Sequence, residues 1–154
     1  MYSYEKRHHF GKRTADLALV VEAERAEVHT PAELRPLFDR LEDRMRVLGY
    51  PCKDIFAVLL AVQEAADNAF HHGNRSDTDK SIQLFFLVTA LEVLVEVQDE
   101  GPGFDPEQVP DPLAEENLDR PHGRGLFLMR AYMTWVSFNR QGNRVTLARQ
   151  RSDP

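Results

Sequence analysis

A chain of 154 residues has room for one ordinary domain with a real core, but not for two of typical size. Its 42% hydrophobic and 29% charged residues belong to a folded, soluble chain, and its apolar stretches are only several residues long where a bilayer span needs about 20. A formal charge of -6 argues against direct binding of nucleic acid, and a single cysteine excludes an internal disulfide and leaves a zinc motif without a second thiolate.

Residues 1–13 are basic and without pattern and read as an arm, with 14–154 as a single domain. Lys6, Arg7, His8 and His9 are followed by no apolar h-region, so a cytoplasmic rather than secreted chain is expected. Leu17, Leu19 and Val21 alternate as in a strand, although Ala15 to Val28 also reads as one helix. Thr30-Pro31-Ala32-Glu33 has the pattern of a capping box with proline at the first helical position, which predicts a helix from Pro31 to about Leu48, ended by Gly49. Pro51 opens a second helix, in which Ile55, Val58, Leu59, Val62, Ala66, Ala69 and Phe70 recur at spacings of three or four and Gly73 is the stop. Cys52, at its start, reads as a small buried hydrophobe or a helix-start residue.

After a polar loop, Ser81 to Thr89 and Val93 to Val97 alternate as two antiparallel strands turning at Ala90-Leu91. Gly101 to Gly125 then holds five of the nine prolines and four of the eight glycines, with no sustained apolar period. So long a loop in a small domain commonly serves as a lid. A short helix, Leu126 to Met133, and strands Trp135 to Phe138 and Val145 to Ala148 complete the order. Phe85, Phe86 and Trp135 are taken as core. The predicted class is α+β, a two-layer sandwich with helices on one face of a mixed sheet.

Three segments carry chemistry. Glu64 and Asn68 lie four apart and so share one face of the second helix, with His72 continuing the stripe. An asparagine carbonyl suits Mg²⁺ beside phosphate oxygens, and a carboxylate one turn earlier can take a proton from an attacking hydroxyl. Taken alone, the same stripe also describes a solvated polar face. Asp99-Glu100-Gly101-Pro102-Gly103-Phe104 follows a predicted strand: Asp99 can accept the exocyclic amine of adenine while Gly101 and Gly103 let backbone pass close to a flat ring, or the segment is simply a turn. His122-Gly123-Arg124-Gly125-Leu126 opens a helix, where exposed N–H groups and the helix dipole make a phosphate cradle. Arg120 and Arg124 are placed to add charge-assisted contacts, or are solvated lid arginines.

In this order, with a lid-length loop between the second and third, these segments resemble the N, G1 and G2 boxes of the GHKL ATPases, which share the Bergerat (histidine-kinase-like ATPase) fold. The resemblance runs from about Thr30 to Arg149 and is closest to the stand-alone anti-sigma-factor serine kinases of partner-switching modules. It implies ATP and Mg²⁺ as cofactors, Glu64 as general base, Asn68 as metal ligand, Asp99 as adenine reader, Gly123 to Leu126 as phosphate grip and residues 105–122 as lid. It also implies a sigma factor and a STAS-domain anti-sigma antagonist as partners, the latter the phosphorylated one, and a homodimer with no membrane association. The family often carries a threonine pair after the glycine near the last strand. This chain reads Gly142-Asn143-Arg144-Val145-Thr146, with Thr146 the candidate replacement. Two other functions share these boxes: an ATP-dependent clamp without phosphoryl transfer, disfavoured by Glu64, and a detached histidine-kinase catalytic domain, disfavoured because no helix bearing a phosphorylatable histidine precedes the fold. A P-loop and a His-Arg-Asp kinase loop are absent from the sequence.

Overall fold

Residues 23–118 and 123–153 are described by a computed structural model, which begins in β1 (Ala23–Val28). The part of Ala15 to Val28 within the described residues is therefore strand and not helix, while Leu17, Leu19 and Val21 lie outside them. A 3-10 turn, Pro31–Glu33, leads into α1 (Leu34–Val47), and α2 (Cys52–Asn68) follows. The Thr30 side chain makes no capping bond. Instead the Glu33 carboxylate accepts the His29 N–H at 2.9 Å, so only the acidic half of the expected capping box forms, displaced by one residue. Gly49 stops α1 as expected: at φ +73° it closes a Schellman motif, with Tyr50 N–H on the Met45 carbonyl and Gly49 N–H on that of Arg46.

Strands β2 (Ile82–Val88) and β3 (Glu92–Gln98) form a hairpin, α3 (Arg124–Tyr132) follows the long loop, and β4 (Trp135–Phe138) and β5 (Arg144–Gln150) form a second hairpin. The sheet order is β1-β2-β3-β5-β4, and every described pair is antiparallel. This corrects the expected mixed sheet. Two successive helices between β1 and β2 return the chain in the reverse direction. The single helix between β3 and β4 does leave those strands parallel, but β5 inserts between them.

The helices cover one face. Strand residues of one parity, among them Val28, Phe86, Val95 and Leu147, pack against Leu41 and Met45 of α1, Val58 and Val62 of α2 and Met129 of α3, all at most 1% exposed. Each such side chain contributes about 1.5–3 kcal/mol on burial. Phe85 and Trp135, expected in the core, have the other parity and are only half-buried on the open face, where the Arg25 guanidinium lies 5.3 Å from the Phe85 ring centre. Cys52 is the first residue of α2 and is exposed. Among the described residues no helix is long and apolar enough to cross a membrane.

Candidate active site

The polar end of α2 meets the start of α3. Gly125 sits so close that a Cβ built on it would stand 3.0 Å from Glu64 Oε2 and 3.1 Å from Asn68 Nδ2. Glycine at this position lets the first turn of α3 approach both side chains. At the opposite ends of the same helices the Phe56 and Tyr132 rings meet edge to face at 5.8 Å, so α3 runs antiparallel to α2 and directs its N-terminal amides toward Glu64 and Asn68. Neither side chain is hydrogen-bonded to another described residue, whereas Asp67, on the neighbouring stripe, accepts from Gln63 Nε2 at 2.9 Å. Burial, reinforced by the Asp67 charge, pushes the Glu64 carboxyl above its ordinary pKa.

Beyond Asn68 the helix widens into a π turn, Ala69–Gly73, with Asn74 N–H on the Ala69 carbonyl at 2.8 Å. His72, expected to continue the Glu64–Asn68 stripe, lies in this π turn and is exposed. The turn brings Gly73 over the end of β3, where Asp99 shares the parity of the buried Val95 and Val97 and so faces the helix layer. A Cβ at Gly73 would be driven into the Asp99 carboxylate, and one at Gly101 into the Gly73 carbonyl. Gly101 N–H donates to Asp99 Oδ1 at 2.7 Å. Burial raises the Asp99 pKa, opposed by that bond and by the Lys80 charge.

The remaining expected residues divide. Gly123, at φ +94°, is the exposed N-cap of α3, and the exposed Arg124 donates through Nη2 to the Leu118 carbonyl at 3.2 Å, tying α3 to the loop. Leu126 is 6% exposed and anchors that turn in the core. Gly103, at φ +80°, serves packing against the Gln141 carbonyl in the β4–β5 turn. Arg120 lies outside the described residues. Thr146 is not brought to the site: with buried Val145 and Leu147 on either side of it, its side chain takes the open sheet face, where Oγ1 donates to Glu96 Oε1 at 3.4 Å. The loop from Asp105 carries two 3-10 turns, Pro106–Gln108 and Glu115–Asn117, stitched by local bonds to the Asp105 and Asp111 side chains.

Three residues at this junction were not singled out from sequence. Asn74 is 1% exposed, donates to the Ser81 carbonyl at 2.9 Å and accepts Glu100 N–H at 2.9 Å. Glu100 accepts Ser81 N–H at 2.6 Å. Asn143 accepts Asp99 N–H on its backbone carbonyl at 2.9 Å and returns a side-chain bond to the Asp99 carbonyl at 3.3 Å. Asn143 directly follows Gly142, the position of the family's first threonine, so the signal was its place in the motif and not its residue type.

The arrangement offers a half-buried carboxylate beside closely packed backbone at one end and, at the other, an acid, an amide oxygen and a helix N-terminus. That combination suits a purine base and a polyphosphate respectively. Among the described residues no group of three His, Cys, Asp or Glu side chains could hold a metal by itself. Asn68 with phosphate oxygens fits Mg²⁺, which usually takes few protein ligands. A separate cleft of about 290 Å³ lies between α1 and α2, lined by Leu34, Phe38, Leu59 and Gln63 among others. It includes neither Asp99 nor Gly125, and chemistry rather than volume locates the site.

Residues 28–149 match the histidine kinase-like ATPase domain family, and the chain belongs to that family. It is 33% identical over 96 residues to the serine/threonine-protein kinase BtrW of Bordetella bronchiseptica, a match that covers 60% of this chain and 68% of the relative.

Proposed function

We propose that this chain is an ATP-dependent serine/threonine-protein kinase of the anti-sigma type, which sequesters a sigma factor in one state and phosphorylates a STAS-domain antagonist in the other. The observation that carries this reading is the placement of Glu64 and Asn68 against Gly125 at the α3 N-terminus, and the similarity to a named serine/threonine kinase supports it. Asp99 would accept the adenine amine, and the amides of residues 123–125 would receive the phosphates. Held by Asn68 and the nucleotide, Mg²⁺ would neutralise phosphate charge. Glu64, made more basic by burial and by Asp67, would take the proton from the acceptor hydroxyl as its oxygen bonds the γ-phosphorus and the bond to ADP breaks. A homodimer in the cytoplasm belongs to the same proposal.

Radiolabelled ATP with STAS-domain proteins of the source organism tests it. Glu64→Ala should bind ATP within a few-fold of the parent and transfer about 10²–10⁴-fold more slowly. Transfer at the parental rate would make Glu64 structural, and a parent that binds a sigma factor with ATP but labels no antagonist would replace the kinase with a clamp.

A further inference from the structure

Asn74, Ser81 and Glu100 form a closed hydrogen-bonded ring. Ser81 N–H donates to Glu100 Oε2 at 2.6 Å, Glu100 N–H to Asn74 Oδ1 at 2.9 Å, and Asn74 Nδ2 to the Ser81 carbonyl at 2.9 Å. Each bond joins a different pair of segments: the end of the π turn, the entry to β2 and the exit from β3. Asn74 and Ser81 are 1% and 6% exposed, so the bond between them is shielded from water. Ser81 Oγ further donates to Glu27 Oε1 at 2.8 Å, which ties the ring to β1.

The ring's immediate neighbours give it a consequence for binding. Gly73 precedes Asn74, and Asp99 and Gly101 flank Glu100. These are the three residues whose backbones and carboxylate are in closest contact at the base end of the site. With no room for a Cβ on either glycine, a small relative shift of the two segments would turn the Asp99 carboxylate away from its ligand. Both ends of the Asn74 amide are also used in opposite senses, so no side chain lacking an acceptor and a donor at that spacing closes the ring.

We infer that the Asn74–Ser81–Glu100 ring is a positioning device for Asp99, setting the preference for a purine bearing an exocyclic amine. This rests on the nucleotide-binding reading above. Ring members do not touch the base; they fix the separation between the π turn and the Asp99 segment, and thereby the direction in which the carboxylate accepts.

Calorimetric titration of the full chain with ADP·Mg²⁺ and IDP·Mg²⁺ tests it, because hypoxanthine carries a carbonyl in place of the adenine amine. The parent should prefer ADP by at least tenfold. Glu100→Ala, at an exposed position, should lower ADP affinity by about tenfold, the usual worth of a bond to a charged group, with little loss for IDP. Glu100→Gln, which keeps an oxygen for Ser81 N–H, should return ADP affinity to within about threefold of the parent. Equal losses for ADP and IDP in Glu100→Ala, unchanged ADP affinity in that variant, or failure of Glu100→Gln to restore it would overturn the inference and leave the ring as structural support only. A parent that binds neither nucleotide would remove the nucleotide reading itself, and the ring's role with it.

Discussion

Asp99 and Glu64 both keep carboxyl groups in surroundings that disfavour their charged form, burial being the main cause in each. A carboxyl whose pKa is higher folded than unfolded binds its proton more tightly in the native state. Stability therefore falls as pH rises through the window between the two values, and the cost persists at neutral pH. For Asp99 this predicts a trade between stability and function. Asp99→Asn keeps an oxygen for Gly101 N–H and loses the charge, so the free protein should melt no lower than the parent, while ADP affinity drops at least about tenfold because an amide cannot serve as a charged acceptor. Scanning calorimetry without ligand and titration with ADP check the two halves separately. For Glu64, as the proposed base, the same shift would set the pH profile of transfer. The rate should climb through the raised Glu64 pKa as the base loses its proton, and Glu64→Gln should abolish that limb of the profile along with most of the activity.

At the scale of elements, local signals located most of the framework. Start and stop signals placed α1, periodicity placed α2, alternation placed β2 and β3, and the glycine at position 49 ended α1 where expected. What the sequence did not disclose was set by contacts distant along the chain. Nothing local marks the π turn after Asn68, the insertion of β5 between β3 and β4 that makes the sheet antiparallel, or the parity that turns Thr146 to the open face. Glu64, Asn68, Asp99 and Gly125 were legible because their motifs place them at helix and strand ends. Asn74 was not, because its partners lie 7 and 26 residues away. The two close-packed glycines should also respond differently to a methyl group. At Gly73 it meets the Asp99 carboxylate on a segment fixed by the ring, so Gly73→Ala should reduce ADP affinity by more than about tenfold. At Gly125 it meets the ends of two flexible side chains, so Gly125→Ala should spare the fold and slow transfer more than it weakens binding. Equilibrium binding and single-turnover labelling of both variants would expose the reverse order.

For the whole molecule, the contact that closes the sandwich lies far from the site. Asp54, fully buried in the first turn of α2, accepts from Arg149 Nε at 3.0 Å and Nη2 at 2.6 Å and from Ser152 N–H at 2.7 Å, while Arg149 Nη1 donates to the Tyr132 carbonyl at 2.6 Å. Burial alone would raise the Asp54 pKa, but the Ser152 and Arg149 bonds outweigh it and hold the carboxyl below its ordinary value. With that sign the contribution to stability is present above the unfolded pKa and is lost as pH falls through the depressed folded one. Asp54→Ala should cost about 3–5 kcal/mol in urea unfolding, since it strands a half-buried guanidinium, yet leave nucleotide affinity within about twofold at temperatures where the variant is folded. A cost under about 1 kcal/mol would show that Arg149 finds water instead.

The proposed nucleotide site joins the end of α2, the segment after β3 and the start of α3. Amide NMR of the full chain during titration with ADP and Mg²⁺ tests this most directly, because Gly73, Gly101 and Gly125 each report on one of the three segments. All three amides should shift together along one saturation curve while Arg35 and Gln63, in the cleft between α1 and α2, stay in place. Saturable shifts confined to that cleft, or none at the three glycines, would contradict it.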